Sequence, residues 1–169
     1  MKNETISSDE LVLSSDTLLA HWQEHRRLTR KVILAFPEDK LFTYSIGGMR
    51  PFAQLAMEMI GMSMPGVYGL ATSKWVVPNR PEVNFNMAPP ATRAELLKLW
   101  DETTEEINKV WPQISIGRFQ ETDKAFGLYE GTISWHSFYF VDNEIHHRGQ
   151  GYVYLRSLGI EPPAFWDRY

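Results

Sequence analysis

Apolar residues recur at helical spacing in four separate stretches of this chain. Leu18, Trp22, His25, Thr29, Val32, Ile33 and Phe36 fall on one side when successive residues are rotated by about 100°, and Ser15 and Asp16 are suited to open such a helix. The pattern predicts a first helix over 15–35, closed by Pro37, because the residue before a proline is pushed out of the helical region. After the Gly47-Gly48 break, Phe52, Leu55, Ala56, Met59 and Met62 repeat the spacing and predict a second helix over 50–64, with Pro51 in its first turn. Thr92 and Glu95 form a T-x-x-E capping box, and Leu96, Leu97, Trp100, Thr104, Ile107, Val110 and Trp111 carry a third helix over 92–111. A fourth, over 132–157, ends before Gly159 and the Pro162-Pro163 pair.

Between these segments, residues 65–90 are rich in Pro, Gly and Asn without a sustained period, and 112–131 is irregular as well. No alternating strand pairs stand between the helices. The fold expected is therefore all-α, a four-helix bundle with long crossover connections, in one domain over 1–169, since 169 residues support one substantial core better than two. The first ~13 residues are polar and are expected to be flexible, as untethered termini are.

Composition narrows the chemistry. With no cysteine in the chain, disulfides, thiolate metal sites and cysteine nucleophiles are excluded, so any metal must be held by His, Asp, Glu or amide oxygens. The formal net charge of −4 and the scattered Lys and Arg residues argue against a nucleic-acid partner, which needs a concentrated basic face. No stretch approaches the ~20 apolar residues of a membrane span, and the N-terminus lacks a signal-peptide pattern, so a cytoplasmic protein without a membrane partner is expected.

Candidate chemistry gathers in the fourth helical segment. On a helical wheel His136, Asn143, His147 and Tyr154 lie within roughly 40° of one another, with Gln150 beside them, whereas His146 points about 100° away from His147. Asn143 and His147 therefore have the i, i+4 spacing with which one helix face grips an ion, although that spacing alone equally suits two hydrogen-bonded core polar groups. His21 and His25 form a second such pair on the first helix, read as a core His25 beside a solvated His21. His25 and His136 are reserve ligands, and Gln150 is placed to orient His147 through its other ring nitrogen. Glu144 and Arg148 read as a helical i, i+4 ion pair, worth ~0.3–0.5 kcal/mol if exposed.

The run "NEIHHRGQGYVYLRSLGIEPPAFW" closely resembles the last helix and tail of the DinB/YfiT-like superfamily, where an H-x-x-x-H pair precedes R-G-Q and a leucine-glycine-proline tail. Helix order, the long connection after the second helix and overall length fit the same family. The resemblance implies a bundle with one divalent metal held by three histidines, one from the second helix and two from the fourth. Carried over by position, these fall on Glu58, Asn143 and His147, so two of the three ligands are changed. An oxygen-rich set of this kind would take Ni, Zn, Mn or Fe without sharp selectivity. The resemblance further implies a metal-dependent transferase or hydrolase acting on a small molecule, with a low-molecular-weight thiol as a candidate co-substrate, in a homodimer. The alternative is a binding or stress-response bundle that has lost the metal chemistry.

Overall fold

In the computed structural model, which describes residues 13–169, the first helix α1 (Ser15–Ala35) opens at Ser14, one residue before the expected caps. The Ser14 hydroxyl accepts from the Thr17 backbone N–H at 3.0 Å. A short helix α2 (Glu38–Thr43), not expected from the pattern, follows Pro37 directly. The helix α3 (Phe52–Thr72) is followed by the long connection and α4 (Arg93–Val110), where Thr92 and Glu95 form the capping box reciprocally. Two short 3-10 turns, Trp111–Gln113 and Ile116–Gln120, lead into an antiparallel hairpin, β1 (Thr122–Ala125) and β2 (Tyr129–Thr132), and then α5 (Ile133–Ser157). The hairpin, with Thr122 opposite Thr132, replaces the irregular segment read from the sequence. Its strands are four residues each, too short for alternation to register as a pattern. Apart from Leu13, the expectation of a flexible terminus concerns residues outside the described ones.

The larger correction is α3, which runs through Pro65 to Thr72 instead of stopping at 64. Proline removes one helical hydrogen bond and crowds the carbonyl four residues back, here that of Gly61. The helix persists because it is buried on every side, with Met57, Ile60, Met64, Val67 and Leu70 at most 2% exposed. Gly61 is also where the long connection crosses: a methyl group there would sit 2.2 Å from the Asn84 carbonyl oxygen. Another close approach, at Gly151, lets α5 lie against the Phe52 ring, 2.4 Å from where a β-carbon would stand.

The apolar core falls into two main parts. One joins Trp22, Val67, Leu70, Trp75, Ile107, Trp111 and Phe140; the other joins Val32, Ile33, Phe52, Leu55, Ile60, Trp100, Tyr154 and Leu155. Read along α1 and α5, buried polar residues stand between the two parts, beside the apolar Leu28: His25, Arg26 and Thr29 on one helix, Glu144, His147 and Arg148 on the other. A polar layer thus crosses the bundle at mid-height. It explains why α5 shows no single apolar stripe, since it packs against α3 on one side and α1 on another.

Candidate functional site

On the α3 side of this layer, α5 presents Asn143 and His147 toward Glu58. Oε1 of Glu58 lies 2.9 Å from Nε2 of His147 and accepts a longer hydrogen bond, 3.4 Å, from the Asn143 amide. Its other oxygen is bonded to the Arg50 guanidinium. The second ring nitrogen of His147 faces Oε1 of Gln150 at 3.1 Å, so in this amide orientation both imidazole nitrogens meet oxygen acceptors. Burial pushes the Glu58 carboxyl up, but the hydrogen bonds from Arg50 and His147 outweigh it and hold the group below the ordinary carboxylate range.

Arg50 had no signal in the sequence. It precedes α3, and its place depends on a contact from the far end of the chain: Tyr154, one of the residues of the α5 stripe, donates its hydroxyl to the Arg50 carbonyl at 2.9 Å. The side chain is then free to reach along α3 to Glu58. His146 is exposed while His147 is 6% exposed, the division that a 100° step between neighbours imposes.

The other candidates are dispersed. His136 sits 11 residues before His147, roughly 16 Å along the helix axis. It is edge-on to Trp75 and Trp135, with Nε2 3.2 Å from the Asp123 carbonyl, beside an aromatic cavity of about 80 Å³ lined also by Met62, Phe126 and Tyr139. His25 belongs to the α1 side of α5, where Arg148 donates to its Nδ1 at 2.8 Å, while His21 is exposed against its edge. Neither meets the Glu58–His147 pair.

Glu144 and Arg148, read from the sequence as an i, i+4 ion pair, are buried, Glu144 completely. The Glu144 carboxylate accepts from the Thr29 hydroxyl at 2.7 Å and faces Arg26 at 3.6 Å and Arg148 at 3.8 Å. Arg26 in turn lies over the Trp100 ring at 3.9 Å and donates to Thr104 and the Trp100 carbonyl. Burial pushes the Glu144 carboxyl up and the Arg26 guanidinium down, to about 10. Spacing along α5 showed the pair; it could not show that α1 closes over it.

The DinB family model matches residues 1–168, so the chain belongs to the DinB family. The fold is similar to that of a solved DinB-like protein from Bacillus subtilis, with a TM-score of 0.69 and 19% identity over 90% of this chain and 99% of that one. It is similar also to a DinB-like protein from Bacillus cereus ATCC 10987, with a TM-score of 0.66 and 14% identity over 89% and 97% of the two chains. No curated protein matches the sequence. Among the described residues no helix is long and apolar enough to cross a membrane.

The three positions at which the resemblance puts metal ligands therefore converge, but their donors do not make a three-histidine centre. They offer one imidazole, one carboxylate and one amide, and the carboxylate is engaged by a guanidinium. Among the described residues no three His, Cys, Asp or Glu side chains gather as a metal-holding group. A divalent ion at Glu58 would stand against the positive charge of Arg50.

Proposed function

We propose that this DinB-family chain is a small-molecule-binding bundle in which a hydrogen-bonded network, Arg50–Glu58–His147–Gln150, stands at the family's metal position. The carrying observation is the double engagement of Glu58, by Arg50 on one oxygen and His147 on the other. A guanidinium paired this way supplies the positive charge that a metal ion would otherwise bring, and it needs no coordination geometry. The cysteine-free composition favours no compartment against the cytoplasm, which remains our assignment.

The second reading is a divalent-metal-dependent transferase or hydrolase acting on a small molecule, with a low-molecular-weight thiol as co-substrate. One observation favours it: the 2.9 Å between the Glu58 oxygen and the His147 nitrogen. Two donors each ~2.1 Å from an ion and at right angles stand about 3 Å apart. That reading requires Arg50 to leave Glu58 and the Asn143 amide to turn its oxygen inward.

Elemental analysis decides between them. Tag-free wild type dialysed against Ni, Zn, Mn or Fe is expected to retain well under one ion per chain, and Arg50→Gln, which frees a Glu58 oxygen, is expected to retain more. Retention of one ion per chain by wild type, lost in His147→Ala and Glu58→Ala, would overturn the first reading and establish the second.

A homodimer is also part of the proposal. The outer edge of α5 carries Trp135, Phe138, Tyr139 and Val153, each at least 42% exposed, on one side of the helix. Sedimentation at roughly tens of micromolar, a range suited to modest interfaces, is expected to give a dimer, and Phe138→Glu a monomer. A monomeric wild type refutes it.

A further inference from the structure

On the α1 side of α5, away from the Glu58–His147 pair, the C-terminal tail folds back and closes a second cleft of about 300 Å³, lined by His25, Ile145, Arg148, Tyr152, Phe165 and Arg168. The tail is tied to α1 by two cations: Arg27 donates to the Arg168 carbonyl at 2.8 Å, and Lys31 pairs with the Asp167 carboxylate at 2.8 Å. These contacts hold the Arg168 guanidinium over His25.

The hydrogen-bonding in the cleft is unbalanced in one direction. Arg148 Nη2 donates to His25 Nδ1 at 2.8 Å, so Nδ1 is the acceptor, and a neutral imidazole must carry its proton on Nε2. That N–H faces Arg168 Nη1 at 3.5 Å, a donor against a donor. The Tyr152 hydroxyl, buried, has no hydrogen-bond partner among the described residues. The burial of His25, and after it both guanidiniums, opposes a further charge on the imidazole, which is held down at about 3. Arg168 Nε donates to the Phe165 carbonyl at 3.3 Å, but the imidazole N–H, the Arg168 Nη1 facing it and the Tyr152 phenol meet no acceptor among the described residues.

The nearby carboxylates do not answer them. Glu144 lies on the inner side of Arg148, engaged with Thr29 and Arg26, and Asp167 is paired with Lys31. His25 is 2% exposed and Arg148 6%, so the cationic floor is set into the protein, where an ion pair is screened less than at the surface. The walls are of another kind: Ile145 and Phe165 are apolar, and Gly149 leaves the helix surface low between them.

We infer that this cleft binds the anionic head, carboxylate or phosphate, of a small organic molecule, with the acidic oxygens accepting from His25 Nε2, Arg168 and Tyr152 and the apolar body resting on Ile145 and Phe165. A cationic floor with an apolar wall selects such a ligand over a free cation or a neutral sugar. The volume, at the low end of ligand pockets, limits it to a small molecule. The site is separate from the Arg50–Glu58–His147 network, so it stands or falls independently of the function proposed for that network.

The experiment titrates the full chain with benzoate, hexanoate and inorganic phosphate, each to ~10 mM, by calorimetry, and follows the histidine side-chain nitrogen resonances. At least one anion is expected to bind and to move the His25 Nε2 resonance. Arg168→Gln and Tyr152→Phe, both outside the buried layer, should weaken that binding ten-fold or more and several-fold. Lys124→Gln, which removes one positive charge from the hairpin, should leave it unchanged. Binding of the carboxylates but not phosphate assigns the head as a carboxylate; phosphate binding with the same dependence on Arg168 assigns a phosphate. Absence of binding by all three anions, or binding indifferent to Arg168 and Tyr152, overturns the inference.

Discussion

Glu144→Ala is expected to lower the stability of this chain by about 3–5 kcal/mol, because it leaves buried arginines without their carboxylate. Glu144 is fully buried, accepts from Thr29, and faces Arg26 and Arg148 within 3.8 Å. Arg26 is itself fully enclosed, stacked on Trp100, with one guanidinium nitrogen lacking a hydrogen-bond partner. For a chain of this length the loss corresponds to a fall of roughly 6–20 °C in Tm, read by thermal unfolding followed by circular dichroism. Glu144→Gln, which keeps the shape and an oxygen for Thr29, should fall between alanine and wild type. Combining Glu144→Leu with Arg26→Met should recover part of the loss, since apolar side chains of similar volume can replace a buried ion pair at little cost. An alanine variant within ~1 kcal/mol of wild type, the size of an ordinary surface substitution, would show that the mid-height layer is not what binds α1 to α5.

The second large effect is a gain. Glu58→His with Asn143→His, made in an Arg50→Gln background, is expected to create a divalent-metal site that binds Zn or Ni at least ~100-fold more tightly than wild type. The separations that carry this are those of the present network: 2.9 Å from Glu58 to His147 and 3.4 Å from Glu58 to Asn143, across α3 and α5. Imidazoles at these three positions would converge on one point, and removal of Arg50 takes away the opposing cation. Gln150, 3.1 Å from Nδ1 of His147, would remain to steady that ring. Competition with a chromophoric chelator reads the affinity. A folded variant that binds no better than wild type would show that side chains at the three positions do not converge as the network indicates.

How much of this was legible in the sequence varies from element to element. The capping box at Thr92 and Glu95 and the ends of the first, third and fourth helices were readable because each depends on residues within one or two turns. The separation of His147 from His146 was readable for the same reason, as it follows from helical rotation alone. The passage of α3 through Pro65 was not, because the local cost of proline is outweighed by burial that only the neighbouring helices and the crossing connection supply. The two-stranded hairpin before α5 was too short to leave a period.

For the site, the sequence by itself determined which α5 residues share a face, and with the family resemblance it singled out Glu58 as their partner 89 residues away. Only the tertiary structure decided what that partner does. Arg50 reaches Glu58 because Tyr154 anchors its backbone, and His25 turns to the tail because Arg148 and Arg168 meet it there. Glu144 is a core residue instead of a surface one because Thr29, 115 positions earlier, and Arg26 close over it. The physical reason is common to all of these. Periodicity along a helix states which side chains point together, whereas the protonation, pairing and burial of a charged group depend on which other helices face it, and those contacts are formed between residues far apart in the chain.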